Sequence, residues 1–382
     1  MIKKIYYWAP CLNKVGTYYS TINSAISVSK FSKGLYKPII IDVCGEWNES
    51  EELIKNNNIE KVKFYKKNYF KYLPKNGFLK SRFSYFVISL LSIFPLLKLM
   101  RKNYDQILIV HLVTFLPLVL KIFFSLRIKT ILRISGYPKL NFFRKKLWQY
   151  SNEKLIFITC PTKDLITQIK EFNIFAEDKI LHLPDPILKI NNFLPKNNQI
   201  IIPKYDKIIL SVGRLTKQKN FLYLVKEFEK FSKFKKDYCL IILGEGEERN
   251  ILEKYILKKN ISDRVFLKGY VTNVFEYMKL SKLFILSSLW EDPGFVLIEA
   301  GFKNLFVISS DCPNGPKELL DNGKGGILFE SNKENAIFKA LLQFEKLKKN
   351  EIMERKIFLK KNIMKYSVFR HYLSLNKILH NS

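Results

Sequence analysis

Glu291 and Glu299 stand eight residues apart in the run Leu289-Trp-Glu-Asp-Pro-Gly-Phe-Val-Leu-Ile-Glu-Ala300. Paired carboxylates suit a hydroxyl-rich ligand, because an ionised carboxylate accepts several hydrogen bonds and sugar and ribose hydroxyls donate them. The apolar run Lys282–Ser288 just upstream reads as a buried strand, and Pro293-Gly294 stops any helix begun earlier. Glu291 is therefore expected in a loop and Glu299 one to two turns inside the following helix, both facing a crevice at the C-terminal edge of a sheet. The opening backbone N–H groups of that helix, Phe295 to Leu297, favour an anion such as a diphosphate. This one segment can thus hold a nucleotide-sugar.

A second cluster has the same strand–loop–helix setting. The strand Lys207–Val212 runs into Gly213-Arg214-Leu215-Thr216-Lys217-Gln218-Lys219-Asn220, and a helical pattern follows. Arg214 and Lys219 are cations five residues apart on this loop, suited to neutralising a leaving phosphate. Between the clusters lie Leu240-Ile-Ile-Leu-Gly-Glu-Gly246 and Val265-Phe-Leu-Lys-Gly-Tyr270, and beyond them Ser309-Ser-Asp-Cys-Pro-Asn-Gly-Pro-Lys-Glu318. The Gly244-Glu-Gly246 and Gly269-Tyr270 pieces read mainly as turns. In order and spacing these five segments resemble the retaining glycosyltransferases of family 4, over residues 205–330.

That resemblance implies the GT-B fold: an α/β protein of two Rossmann-like doubly wound domains facing across a cleft. It implies a nucleoside-diphosphate sugar as donor and a growing lipid-linked or surface glycan as acceptor. His111, Arg214, Lys219 and Glu291 take the catalytic places. Glu299 would hold the ribose, while Glu291 and the backbone from Asp292 through Gly294 to Phe295 would hold the sugar ring; Val296, Gly213, Gly16 and Gly136 would border the donor. The loop Pro10–Gly16 departs from the family's glycine-rich pattern at Val15, so only Gly16 carries over, and a plain strand-to-helix turn explains it equally well. His111 likewise reads either as a sugar contact or as a structural histidine at a strand end; His182, His371 and His380 have no comparable setting. No Asp-x-Asp occurs, so no metal or other cofactor is expected.

These sites must be carried by two domains, since 382 residues are too many for one ordinary core. Strands at Lys3–Trp8, Pro38–Val43, Gln106–His111, Lys129–Ser135 and Leu155–Thr159, alternating with helical stretches, predict a parallel sheet in the first half. Leu181-His-Leu-Pro-Asp-Pro-Ile187 resembles the segment that ends the family's first domain, and the polar Leu188–Lys204 that follows reads as a linker. Expected boundaries are 1–187 for the acceptor-side domain, 188–366 for the donor domain, and 367–382 for a helix returning to the first domain. Five scattered cysteines form neither a disulfide framework nor a zinc pattern, and no signal-peptide pattern opens the chain. A cytoplasmic location is expected.

The formal net charge of +31 has three readings. Nucleic-acid binding lacks any recognition motif in this chain, and solvated lysine surface explains part of the excess. Attraction to an anionic membrane leaflet is favoured by local patterning. Lys61, Lys63, Lys66, Lys67, Lys71, Lys75, Lys80 and Arg82 fall in one stretch without an acid, interleaved with Phe64, Tyr65, Tyr69, Phe70, Tyr72 and Phe78. Basic groups among aromatics fit the headgroup layer, predicting a peripheral protein on the inner membrane face. The next apolar run, Phe83–Leu97, is broken by Pro95 and too short to span, so it reads as a buried or interfacial helix. A soluble transferase with a small acceptor and a non-catalytic binder of anionic polymer are the alternatives.

Overall fold

The computed structural model describes residues 2–75, 77–111, 114–189 and 203–381, so residues 190–202 of the expected linker lie outside the described part. The chain divides into two compact units, residues 1–187 with 366–382, and residues 188–365.

The first unit is built on seven strands: β1 (Lys3–Trp8), β2 (Tyr36–Asp42), β3 (Glu60–Lys63), β4 (Ile107–His111), β5 (Lys129–Arg133), β6 (Phe157–Cys160) and β7 (Ile180–His182). All pair in parallel, in the order β3-β2-β1-β4-β5-β6-β7. Side-chain alternation along β1 sends Tyr6 and Trp8 to one face and Ile5 and Tyr7 to the other. Helices α1 (Gly16–Phe31) and α2 (Glu51–Asn56) cover the Ile5 face; α3 (Phe78–Lys102), α4 (Leu116–Phe123), α5 (Phe142–Ser151) and α6 (Lys163–Glu171) cover the Tyr6 face. Two strands escaped the sequence pattern. β3 lies within the basic stretch, where charge masks the alternation, and β7 is only three residues long.

Helix α3 corrects the expectation drawn from Pro95. It runs for 25 residues straight through that proline. Proline cannot donate to the carbonyl four residues back, and here the Leu91 carbonyl accepts instead from the Tyr65 hydroxyl at 2.9 Å. By length and composition the segment Leu79–Lys102 is sufficient to cross a membrane.

The second unit carries a six-stranded parallel sheet: β8 (Lys207–Val212), β9 (Tyr238–Leu243), β10 (Val265–Gly269), β11 (Leu283–Leu286), β12 (Phe306–Ser310) and β13 (Ile327–Phe329). Its order is β10-β9-β8-β11-β12-β13. Between the strands run α7 (Phe221–Phe234), α8 (Arg249–Lys258), α9 (Val274–Leu280), α10 (Phe295–Phe302) and α11 (Pro316–Leu319), followed by α12 (Ala336–Lys346) and α13 (Lys349–Ile363). The strands are almost wholly buried aliphatic runs, as a parallel sheet covered on both faces requires.

The last helix, α14 (Val368–His380), packs on α1 of the first unit. His371 anchors it from full burial. Its Nδ1 lies 2.6 Å from the Pro184 carbonyl and its Nε2 2.8 Å from the Ser24 hydroxyl. A ring nitrogen facing a carbonyl must donate, so Nδ1 carries the proton and Nε2 accepts. Burial lowers the imidazole to about 4, consistent with that neutral form.

Candidate functional site

In the second sheet the strand order reverses between β8 and β11. The loops leaving the C-terminal ends of these neighbours therefore open a crevice, the position where α/β sheets bind ligands. Glu291 and the Gly213–Lys219 loop, 72 residues apart at Lys219 and Glu291, meet there, and Glu299 lies on the helix that follows.

Backbone bonds lace the two loops together. Leu289 N–H donates to the Gln218 carbonyl at 2.8 Å, the Ser287 hydroxyl to the Lys219 carbonyl at 2.7 Å, and the Gln218 amide to the Trp290 carbonyl at 2.9 Å. Lys219 Nζ lies 2.5 Å from Glu291 Oε1, and the Ser288 hydroxyl donates to the same oxygen at 2.5 Å. Both partners are largely buried, with side chains 14% and 6% exposed. Glu291 is thus not a free acid in the loop; it holds the lysine. Arg214, by contrast, stands exposed to solvent.

Three glycines make this arrangement possible. A Cβ on Gly213 would press on the Lys219 stem at 3.2 Å. One on Gly244 would lie 1.8 Å from the Gly213 carbonyl, and one on Gly246 2.3 Å from the Leu215 carbonyl. The Gly244-Glu-Gly246 segment is therefore more than a turn: it backs the Gly213–Lys219 loop, with Leu215 N–H donating to the Glu245 carbonyl at 2.9 Å.

Gly294 precedes α10 with φ 96°, a conformation that only glycine adopts without strain. The Leu297 N–H turns back to the Gly294 carbonyl at 3.1 Å. Phe295 and Val296 are left as the opening N–H groups, one fewer than the sequence suggested. Asp292, Phe295 and Val296 are partly exposed there. Glu299 lies in the second turn of α10; surrounding protein raises its carboxyl to about 7, although an edge of the residue stays accessible. Beyond β12, Asp311 accepts from Ser331 N–H at 2.8 Å, and Glu291 N–H donates to the Pro313 carbonyl at 3.1 Å. Ser288 was not marked by the sequence pattern, since a serine at a strand end carries no signal of its partner. Among the described residues no group of three or more His, Cys, Asp or Glu side chains gathers as a metal site.

The first sheet reverses its order between β1 and β4. Gly16 is the first residue of α1, Gly136 lies in the loop after β5, and His111 ends β4. His111 is buried, and among the described residues its Nδ1 has no hydrogen-bond partner. Burial first, then the neighbouring Arg133 cation, lowers it to about 3, so it is neutral near pH 7. Arg133 itself is locked at 2.6 Å to Asp185 and at 2.6 Å to the Leu183 carbonyl. Asp185 also accepts from Ser20.

The basic stretch divides. Lys61 is removed from any docking role: its side chain is only 5% exposed, caught between Asp42 at 3.3 Å and Glu51. Lys63 faces Glu51 at 3.7 Å. Lys67, Lys71 and Lys75 lie over the rings of Tyr69, Tyr72 and Phe70 at 5.7, 4.7 and 4.6 Å. Lys66, Lys80 and Arg82 are exposed. Phe70 is buried, and Phe64 packs on the core.

Residues 194–358 match the family model of glycosyl transferases group 1. The chain is 36% identical over 147 residues to a Campylobacter jejuni protein, N-acetylgalactosamine-N,N'-diacetylbacillosaminyl-diphospho-undecaprenol 4-alpha-N-acetylgalactosaminyltransferase; the match covers 38% of this chain and 40% of that one. The chain spans well under half the length of such curated relatives. Its fold is that of a glycosyltransferase from Rickettsia africae, with TM-score 0.76 and 18% identity over 100% of both chains. It is also that of Anabaena Alr3699/HepE, solved with UDP, with TM-score 0.73 and 11% identity over 100% of both chains. The α/β architecture of two Rossmann-like domains expected from the sequence is the one found.

Proposed function

We propose that this chain is a retaining glycosyltransferase of family 4 that moves a sugar from a nucleoside diphosphate onto a growing lipid-linked or surface glycan. The observation that carries this reading is the meeting, at the β8/β11 reversal, of a glycine-cradled cation with the Glu291 carboxylate, just before the N-terminus of the helix α10 that carries Glu299. Each part has a task. Arg214 and Lys219 offset the charge that grows on the departing diphosphate, where one well-placed donor is worth roughly 2.7–4 kcal/mol. Glu299 accepts from the ribose hydroxyls, and Glu291 with the Asp292–Val296 backbone orients the sugar ring. Retention rests on the family resemblance: the bond from the anomeric carbon to the diphosphate breaks, the acceptor oxygen bonds to the same face, and its proton passes to the leaving phosphate oxygen. In the first unit, the neutral, buried His111 ends β4 and Gly16 opens the helix after β1, at that sheet's own order reversal.

The lipid-linked acceptor is supported by the diphospho-undecaprenol named in the C. jejuni relative, and the nucleotide by the UDP bound to the Anabaena protein. Metal independence rests on the lack of Asp-x-Asp, a cytoplasmic place on the scattered cysteines, and a membrane-peripheral one on the basic patterning. The test is to incubate the protein with UDP- and GDP-sugars, with and without chelator, and follow hydrolysis and thermal stabilisation. A bound nucleotide-sugar at 100 times its Kd should raise stability by about 2.7 kcal/mol. Tight binding of nucleic acid with no response to any nucleotide-sugar would overturn the reading, and turnover abolished by chelator would overturn its metal-free form.

A further inference from the structure

Helix α3 has two apolar faces, and only one of them is used. Ser84, Ile88, Ser92, Leu96 and Met100 are 0% exposed and face the sheet. On the opposite side Leu79, Phe83, Phe86, Leu90 and Phe94 are 77, 59, 61, 51 and 81% exposed. Their spacing of three and four residues makes one continuous stripe, roughly 22 Å long at 1.5 Å per residue. The helix cannot turn this stripe inward, because its other face belongs to the core of the first sheet. Nor can it leave to span a bilayer without abandoning that core.

The neighbouring surface is of the same kind. α3 packs on α4 and α4 on α5, all on one side of the sheet. Phe123 at the end of α4 and Phe142 and Phe143 at the start of α5 are 77, 70 and 82% exposed. Charge flanks the stripe: Lys80 and Arg82 near one end, Lys98, Arg101 and Lys102 at the other, all exposed, with no charged residue from Phe83 to Leu97. From Lys61 to Asn152 the chain has nineteen Lys and Arg and a single acid, Asp105.

We infer that the outer face of α3 lies in the plane of an anionic lipid bilayer, with Phe83, Phe86 and Phe94 in the acyl boundary and the flanking cations on lipid phosphates. An in-plane helix needs this combination of an apolar stripe and basic edges. A second protein chain as occupant would need acidic surface to match, and this chain has little to offer a copy of itself. The inference rests on the membrane association proposed above and relocates it, from the partly neutralised Lys61–Lys67 region to the helix that follows.

Flotation of the full chain with phosphatidylglycerol-rich and with phosphatidylcholine vesicles tests it, in low and high salt. Binding should favour the acidic vesicles and keep a salt-resistant part. Replacing Phe83, Phe86 and Phe94 together with serine should weaken partitioning by about 100-fold, while the circular dichroism and cooperative thermal unfolding of the lipid-free protein are unchanged and report an intact fold. Fluorescence of a Phe86→Trp variant should be quenched by brominated lipid, since three of the four native tryptophans are fully buried. A triple-serine variant that floats like the parent, or a lipid-free parent dimer that the variant splits, overturns the inference. Transfer to a soluble acceptor analogue by a protein that never floats would sink this proposal and leave the transferase reading standing; flotation lost on substitution, in a protein that ignores every nucleotide-sugar, would do the reverse.

Discussion

Lowering the pH from 8 to 6 should weaken nucleotide-sugar binding about ten-fold through Glu299 alone. Burial raises this carboxyl from 4.5 to about 7. Hydrogen bonds from ribose hydroxyls require the ionised form, which falls from about nine-tenths of molecules at pH 8 to about one-tenth at pH 6; apparent affinity follows the competent fraction. The sign for folding is opposite. A raised acid binds its proton more tightly folded than unfolded, so its contribution to stability is greatest below the unfolded value and is lost as pH rises towards 7, by about 1.4 kcal/mol per unit and about 3 kcal/mol in all. Glu299→Gln should therefore stabilise the unliganded protein at pH 8 by up to that amount while weakening nucleotide-sugar binding and removing its pH dependence. Calorimetric titration with a nucleoside-diphosphate sugar, whose diphosphate diester does not titrate in this range, reads both terms. Repeating it in buffers of different ionisation enthalpy should show close to one proton released per ligand at pH 6. An affinity flat within two-fold from pH 6 to 8, with no proton release, would refute a ribose role for Glu299.

Lys219 and Glu291 should behave as one unit. Alanine at either position leaves a mostly buried charge uncompensated, at about 3–5 kcal/mol by urea unfolding, and the double variant should cost clearly less than the sum; additive costs would mean the pair is not coupled. Arg214→Ala lies on an exposed residue and should lower turnover by about 100-fold with an unchanged melting temperature; a stability loss in step with activity would move Arg214 from catalysis to structure. Gly244→Ala drives a Cβ into the Gly213 carbonyl and should displace the loop, lowering nucleotide affinity at least ten-fold by titration; wild-type affinity in a folded variant would show that the loop needs no such backing.

What was legible in the sequence is what local patterns carry. Buried apolar runs marked β8 and β11, the two strands that carry the site loops, and Pro293-Gly294 marked the break before α10, because backbone preference and burial act within a few residues. The loops with Arg214, Lys219 and Glu291, and the helix with Glu299, are therefore assigned to strand ends by the sequence alone. Only the tertiary structure decided that β8 and β11 are neighbours, and hence that Lys219 is held by Glu291 and Ser288 rather than standing free. Pairing across 72 residues leaves no local trace, since a lysine reads the same whether its partner is water or a carboxylate. The same limit applied to Lys61, which looked like part of a basic surface and is enclosed by Asp42 and Glu51. It applied most to α3. Pro95 suggested a break, but Tyr65 supplies the missing donor from a distant loop, and the helix continues. Composition alone cannot separate a helix buried on all sides from one that keeps an apolar face in solvent, because side-chain chemistry is identical in both. The seven-stranded sheet, by covering only one face of α3, made that distinction.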